Sequence, residues 1–265
     1  MPKQLIDMKK NKSKAQVAQQ RKEKNINYLL NVDSVKDCHK AYHNKYEWTI
    51  VQIMRLIGNR KIDSLIEIGC HYGAILMLLK ERLHLKDYAG VDLLDQKELK
   101  KNYGYEFPFI RMDLNVDDPG RLPKKDLVLM TDVLEHLDNP VSVLRRLQIK
   151  KYLLIKIPIE KGVIKNVLMA LGLAAGIGPT HPSGHLHGFY LSEGLDLVKR
   201  GNLRIIEWFY TFNPLWLNYP NINKGFTLPK KMFYCFDYAC RALLPRRMYL
   251  ALFGGTLLML CERAK

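Results

Sequence analysis

Three acidic residues sit in or at the ends of short apolar runs. Glu67 lies within Leu65-Ile-Glu-Ile-Gly69, Asp92 ends Tyr88-Ala-Gly-Val-Asp92, and Asp113 ends Phe109-Ile-Arg-Met-Asp113. Gly69 and Gly73 bracket the turn Gly69-Cys-His-Tyr-Gly73. Glycines in such a turn let the backbone approach a ligand closely at the carboxyl edge of a sheet. Asp92 follows Gly69 by 23 residues, a distance at which an acidic residue can accept hydrogen bonds from two ribose hydroxyls. A dinucleotide site prefers G-x-G-x-x-G, because a pyrophosphate needs amide donors and a helix N-terminus. Here the turn reads G-x-x-x-G with His71 at its centre. The expected ligand is therefore a nucleoside without a pyrophosphate.

A second set of residues is suited to moving a proton, for which histidine is the usual choice near neutral pH. His136 follows a fourth apolar run, and His185 and His187 end a glycine-rich stretch. All three are expected at the carboxyl edge of the sheet, as candidate bases or as structural hydrogen-bonding partners in their loops. His181, His185 and His187 together have a grouping that a metal could use, but the spacing is unspecific and the group contains no Asp or Glu. No metal is expected there. His39 and His43 read as the solvated face of a helix.

These residues need a scaffold, and the hydrophobic pattern supplies one. Residues 25–60 read as helical, with apolar spacing through Tyr46, Ile50, Ile53, Met54 and Ile57, up to Gly58-Asn59. Strands are expected at 64–69, 88–92, 107–112, 126–130 and 152–157, the last stopped by Pro158. Helices are expected at 74–85, 97–101 and 140–148. Alternation at short intervals signals a doubly wound α/β sheet. Residues 159–187 read as an apolar, glycine-rich insertion. A helix at 192–200 with Ser192 as N-cap, a strand at 203–212, an aromatic, proline-punctuated segment at 213–247 and a last strand at 255–261 follow.

Composition limits the function classes. The chain has 265 residues, 48% hydrophobic and 26% charged, which suits one large folded domain or two small ones and excludes a mostly disordered, collagen-like or coiled-coil chain. The net charge of +16 is uneven: residues 1–24 carry +6, residues 199–265 carry +8, and the body between carries only +2. Basic ends suit an anionic partner such as RNA, an acidic lipid headgroup or an acidic glycan, or are simply a lysine-rich tail and an ordinary basic face. Five cysteines without a CxxC pair argue against a disulfide scaffold or a structural zinc site and for a reducing compartment. No apolar stretch follows the first basic residues, so no secretion signal is expected. The longest apolar runs, at 167–178 and 248–261, are shorter than the roughly 20 residues a membrane span needs. Cytoplasmic placement, with peripheral membrane contact as an option, is the expectation.

The sequence resembles class I S-adenosylmethionine-dependent methyltransferases. The resemblance is carried by Glu67-Ile-Gly-Cys-His-Tyr-Gly73, Gly90-Val-Asp92, Met112-Asp113 and especially Asp126-Leu-Val-Leu-Met-Thr-Asp-Val-Leu-Glu-His-Leu137. The last stretch, with Gly184-His-Leu-His-Gly-Phe-Tyr190, is similar to the branch that includes ubiquinone-biosynthesis-type, small-molecule and glycan methyltransferases. It covers roughly residues 60–212. It implies a Rossmann-like seven-stranded sheet of order 3-2-1-4-5-7-6 with an antiparallel last strand, and S-adenosylmethionine as cofactor. It further implies that Glu67 supports the glycine loop and that Gly69 and Gly73 leave room for the methionine part of the cofactor. Asp92 would hold the ribose, and Leu93 would pack on adenine. Asp113 would accept from the adenine amino group with Met112 or Leu114 nearby, and Met130, Thr131 and Asp132 would line the pocket near the sulfonium.

For the acceptor, the insertion at 159–187 is read as a lid, a groove for a lipid-like molecule or a membrane-surface helix. Trp216 and Tyr219 would stack on a ring or sugar, unless both segments simply cover the sheet. The favoured reading is O-methylation of a small-molecule, lipid-like or glycan acceptor. RNA methylation through the basic termini comes second. A non-catalytic scaffold with a degenerate cofactor fold is the third.

Overall fold

The computed structural model describes residues 32–95, 97, 106–170, 185–212 and 228–264. The tail at 1–24, nearly all of the helix expected at 97–101, His181, Trp216 and Tyr219 lie outside the described residues. The elements are α1 (Val32–Ile57), β1 (Ser64–Ile68), α2 (Ala74–Leu83), β2 (Asp87–Asp92), β3 (Phe109–Arg111), β4 (Lys125–Thr131) and α3 (Pro140–Arg146). They continue with β5 (Ile149–Ile159), α4 (Val163–Ala170), α5 (Leu191–Arg200), β6 (Leu203–Thr211), α6 (Leu228–Leu243), α7 (Arg246–Phe253) and β7 (Gly255–Arg263). The strands form one sheet of order β3-β2-β1-β4-β5-β7-β6, the order the resemblance implies. The first five are parallel, and β7 is antiparallel to both β5 and β6.

The central strands are buried on both faces, so alternate side chains enter two cores. Ile66, Ile68, Val128 and Met130 pack with Leu144 of α3 and Leu197 of α5. Leu65, Leu127 and Leu129 pack with Leu76 of α2 and with Ile50, Ile53 and Ile57 of α1, whose helical spacing builds one apolar stripe. Helix α1 stops at Gly58, which takes φ +56° and donates its N–H to the Met54 carbonyl at 2.9 Å, a left-handed helix end that glycine tolerates.

Four local expectations need correction. Strand β5 does not stop at Pro158 but runs through it to Ile159, paired with β7. Pairing with β4 ends at Thr131–Lys156, so the missing N–H falls where that ladder is already finished. Ser192 is not the N-cap of α5. Tyr190 holds that place, and its N–H is taken by the Glu193 carboxylate at 2.9 Å. Strand β3 is confined to Phe109–Arg111, because Phe107 is buried against the glycine turn instead. The aromatic segment contains the helix α6, and α7 begins at its end and runs on to Phe253, where no helix is expected from the sequence; their apolar faces hide among exposed aromatic and basic residues.

At the amino end of β4, Asp126 is fully buried, accepts the Asp63 N–H at 3.0 Å and lies 3.0 Å from the ammonium groups of Lys150 and Lys151. Burial pushes its carboxyl up, but these partners outweigh it and hold the pKa at about 2. A depressed folded-state value is stability that is present above the ordinary aspartate range and is lost as pH falls through the folded value. Asp126→Asn is expected to cost roughly 2 kcal/mol in urea unfolding at pH 7. The gap to wild type should close between about pH 4 and about pH 2. A gap that stays constant over that range would contradict the ion-pair origin.

Among the described residues, no helix is long and apolar enough to cross a membrane. Cys70, Cys235, Cys240 and Cys261 form no disulfide.

Candidate functional site

The register brings the chemistry-bearing residues to one edge. Ile68 lies beside Val91 on one side and Met130 on the other. The residues that leave β1, β2 and β4, namely Gly69, Asp92 and Asp132, therefore emerge at the same level.

The turn after β1 is fixed by backbone. The N–H groups of Gly69 and Cys70 both donate to the Val91 carbonyl, at 2.8 and 3.1 Å, and Gly73 N–H donates to the Cys70 carbonyl at 2.7 Å. Gly69 and Gly73 have φ of +72° and +79°, and His71 takes φ +48°. His71 thus adopts the left-handed conformation that a central glycine would adopt more easily. A Cβ on Gly69 would meet Val133 at 2.4 Å, and one on Gly73 would meet Phe107 at 2.4 Å. Packing against the protein's own side chains, beyond any ligand, requires both glycines. Gly73→Ala is expected to cost roughly 2–4 kcal/mol in chemical unfolding, combining left-handed strain with overpacking against the Phe107 ring. A loss under about 0.5 kcal/mol would mean the turn can relax.

Asp92 organises that turn. Its Oδ2 accepts the His71 N–H at 2.7 Å, and its Oδ1 accepts the N–H groups of Leu93 (2.7 Å) and Leu94 (3.2 Å). Of about four lone-pair positions on a carboxylate, three are taken by backbone, which leaves capacity on Oδ2. Glu67, beneath the turn, is buried, and accepts the Leu76 N–H in the first turn of α2 while its Oε2 has no hydrogen-bond partner. Burial, aided by the charge of Asp92, pushes the Glu67 carboxyl well up. Asp113 accepts the Asn115 N–H at 3.1 Å and is half-buried beyond β3. Leu93, just past the tip of β2, is half-buried, whereas Leu114 and Met130 are buried in the core facing α3 and α5. Met130 is fully enclosed there, because its position in β4 points to that core, so Thr131 and Asp132 rather than the Met130 side chain reach the edge.

Asp132 has φ +56° and is clamped by two lysines. Lys156, from β5, is buried and bonds its carboxylate, and Lys45, from α1, reaches it at 3.1 Å. Burial works against the charged form, but the two ammonium groups outweigh it and hold the Asp132 carboxyl well below the ordinary range. Burial pushes the Lys156 ammonium down. Neither lysine stands out in the sequence, since both depend on a tertiary contact.

The histidines converge beside this clamp. The Glu135 carbonyl accepts the N–H groups of Leu186 (2.8 Å) and His187 (3.1 Å), which pins the end of the insertion against the exit of β4. His136 and His185 rings lie edge to face with centroids 4.9 Å apart. His185 Nδ1 is 2.9 Å from a Glu160 carboxylate oxygen, and His187 Nε2 donates to the Leu137 carbonyl at 2.8 Å. Glu135 is fully buried, and among the described residues no side chain donates to its carboxylate, which has only its own backbone N–H nearby. Burial and the Asp132 charge push its carboxyl well up. Glu135 and Glu160 escape a reading by spacing because they leave different strands, although Glu135 directly precedes His136.

A glycine turn after β1, an acidic residue at the tip of β2 and a sheet of this order define the class I methyltransferase fold. Residues 66–153 match a family model described as a methyltransferase domain. No curated protein matches the chain. Solved structures similar to it include a chain from the complex of the Haloferax volcanii Trm112 methyltransferase activator with its methyltransferase. That chain is 14% identical, with 88% of this chain and 96% of that chain covered and a TM-score of 0.55. Another is phosphoethanolamine N-methyltransferase 2 of Haemonchus contortus in complex with S-adenosylmethionine, 13% identical over 82% of this chain and 52% of that one, with a TM-score of 0.54. A third is magnesium protoporphyrin IX methyltransferase of Synechocystis with bound S-adenosylhomocysteine, 14% identical over 86% of both chains, with a TM-score of 0.51. The chain thus has the class I S-adenosylmethionine-dependent methyltransferase fold, and residues 66–153 of it match a methyltransferase domain.

Proposed function

We propose that this methyltransferase transfers the methyl group to an oxygen of a small-molecule, lipid-like or glycan acceptor. The observation that carries the proposal is the joining of two half-sites on one sheet edge. The glycine turn closed by Asp92 forms one half, and the carboxylate–histidine group around His185 forms the other.

In this reading Glu67, Gly69 and Gly73 shape the turn, Asp92 holds the ribose through its remaining Oδ2 capacity, and Leu93 packs on the adenine. Asp113 accepts from the adenine amino group, with Met112 and Leu114 behind it. The Lys45–Asp132–Lys156 clamp carries one net positive charge. That suits the carboxylate of the methionine moiety better than it suits a sulfonium, so Lys45 is assigned to that carboxylate. The cofactor supplies an already activated methyl group, and the protein's share is binding, alignment and exclusion of water. The carbon–oxygen bond forms as the sulfur–carbon bond breaks. The electron pair returns to sulfur, and the acceptor proton leaves on the side of His136 and His185. His187 is held by the Leu137 carbonyl and is assigned a positioning role.

A labelled-methyl assay against lipid, glycan, small-molecule and RNA fractions tests the acceptor. Label in one of the first three supports the reading, and label confined to RNA replaces it with the second.

Peripheral contact with an anionic membrane from the cytoplasmic side is a companion proposal. It is supported by the exposed Phe236, Tyr238, Leu243 and Met248 beside exposed Arg246 and Arg247 on α6 and α7. Salt-sensitive sedimentation with phosphatidylserine vesicles, absent with neutral vesicles, is the expected result.

A further inference from the structure

We propose that Glu135, His136 and His185 form a binding site for one divalent transition-metal ion. The first observation is geometric: one potential ligand atom from each residue lies within 4.8 Å of the other two. Ligands at about 2.0–2.1 Å from a tetrahedral ion stand about 3.4 Å apart, so an ion would draw these groups in by roughly an ångström.

The second observation is independent. Glu135 has no exposed surface, and among the described residues no side-chain donor or cation meets its carboxylate, which has only its own backbone N–H nearby. Buried polar atoms are nearly always paired, and a buried carboxylate normally meets a cation or a metal. Lys156 serves Asp132 instead. The missing partner of Glu135 therefore belongs in the space it shares with the two imidazoles.

The surroundings match a metal site. Glu160 lies 2.9 Å from His185 Nδ1. A carboxylate there fixes the tautomer that presents Nε2 and makes the imidazole a better ligand. The Leu186 and His187 N–H groups on the Glu135 carbonyl lock the two ligand-bearing segments together by backbone. Two imidazoles and one carboxylate form a borderline donor set that favours Zn²⁺, Co²⁺ or Fe²⁺ over Mg²⁺ and Ca²⁺. Three protein ligands leave coordination positions open, the mark of a catalytic rather than a structural site.

The role assigned to the ion rests on the methyl-transfer reading above. The acceptor oxygen would bind the open position beside the Asp132 clamp. Coordination lowers the pKa of a hydroxyl. Its proton passes to solvent, the oxygen takes the methyl carbon, and the products are the methyl ether, S-adenosylhomocysteine and one proton. His136 and His185 then act as ligands, and the proton leaves on their side from the coordinated oxygen to solvent.

The test uses untagged full-length protein stripped with chelator and titrated with Co²⁺, then Zn²⁺. Expected are one Co²⁺ per chain with visible d–d absorption, displacement by Zn²⁺, and a melting temperature that rises with either ion. Glu135→Gln and His185→Ala should each weaken Co²⁺ binding at least tenfold. Glu160→Gln, which weakens the carboxylate hold on His185 Nδ1, should weaken it roughly tenfold. Glu135→Gln without metal should melt no lower than the stripped wild type, since it replaces a buried carboxyl, unpartnered by any described side chain, with a neutral amide of the same shape. S-adenosylhomocysteine binding should be unchanged in all three variants, which keeps failure of the metal site separate from failure of the methyltransferase reading. Absence of Co²⁺ binding by wild type, equal binding by wild type and Glu135→Gln, or binding of Mg²⁺ alone would overturn the proposal.

Discussion

Asp92→Ala is expected to weaken S-adenosylmethionine binding roughly a hundredfold by calorimetry. The loss comes from two sources. A charge-assisted hydrogen bond to a ribose hydroxyl is worth roughly 1.5–3 kcal/mol, and its removal alone gives about one to two orders of magnitude. The same substitution also strips the acceptor from the N–H groups of His71, Leu93 and Leu94. His71 is already in a left-handed conformation, and the Asp92 bond is what holds its amide in the turn. The turn should therefore loosen as well as lose its ligand contact. Asp92→Asn should fall between the two, since its amide oxygen can keep one side of this network while the NH₂ group opposes the other. Wild-type affinity in Asp92→Ala, with the fold intact by circular dichroism, would remove Asp92 from the site.

The second large effect concerns the lysine clamp. Asp132→Ala is expected to destabilise the protein by roughly 3–5 kcal/mol, because it leaves the buried Lys156 ammonium without its partner and facing Lys45. Lys156→Met should cost far less, about 1 kcal/mol, since the partly exposed Asp132 retains Lys45 at 3.1 Å. The double variant Asp132→Ala/Lys156→Met should recover most of the loss, giving strongly non-additive energies in a double-mutant cycle. The pH dependence has a definite sign. In Asp132→Ala, burial favours neutral Lys156, whose folded value then lies below its unfolded one. The deficit should shrink as pH rises toward about 10, where the unfolded lysine also loses its proton. Additive energies, or a deficit that grows with pH, would contradict the clamp.

How much of this was legible without coordinates depends on the range of the interactions. Parallel strands buried on both faces read as unbroken apolar runs, and for that reason Leu65–Ile68, Tyr88–Val91 and Asp126–Met130 stand out, with their tips at Gly69, Asp92 and Asp132. The sheet order followed from the family resemblance, not from pattern. Lys45 is invisible in sequence because its partner lies 87 residues away, and a lysine on an amphipathic helix reads as solvent-exposed. Glu135 and Glu160 are missed for a related reason. A group of histidines judged by spacing contains no carboxylate, while the fold delivers one from the exit of β4 and another from the exit of β5. Pro158 misleads in the other direction. Its missing N–H ends a strand only where a neighbour is waiting to accept it, and here β4 has already ended. Local patterns thus locate the edge, while the charges that tune it come from contacts between distant segments.

A crystal structure of the protein grown with S-adenosylhomocysteine tests the central claim most directly. The ribose should lie within hydrogen-bonding distance of Asp92 Oδ2, with the adenine between Leu93 and Asp113 and the amino-acid carboxylate toward Lys45. A nucleoside bound away from the tips of β1, β2 and β4, or an edge that stays empty at saturating ligand, would contradict it.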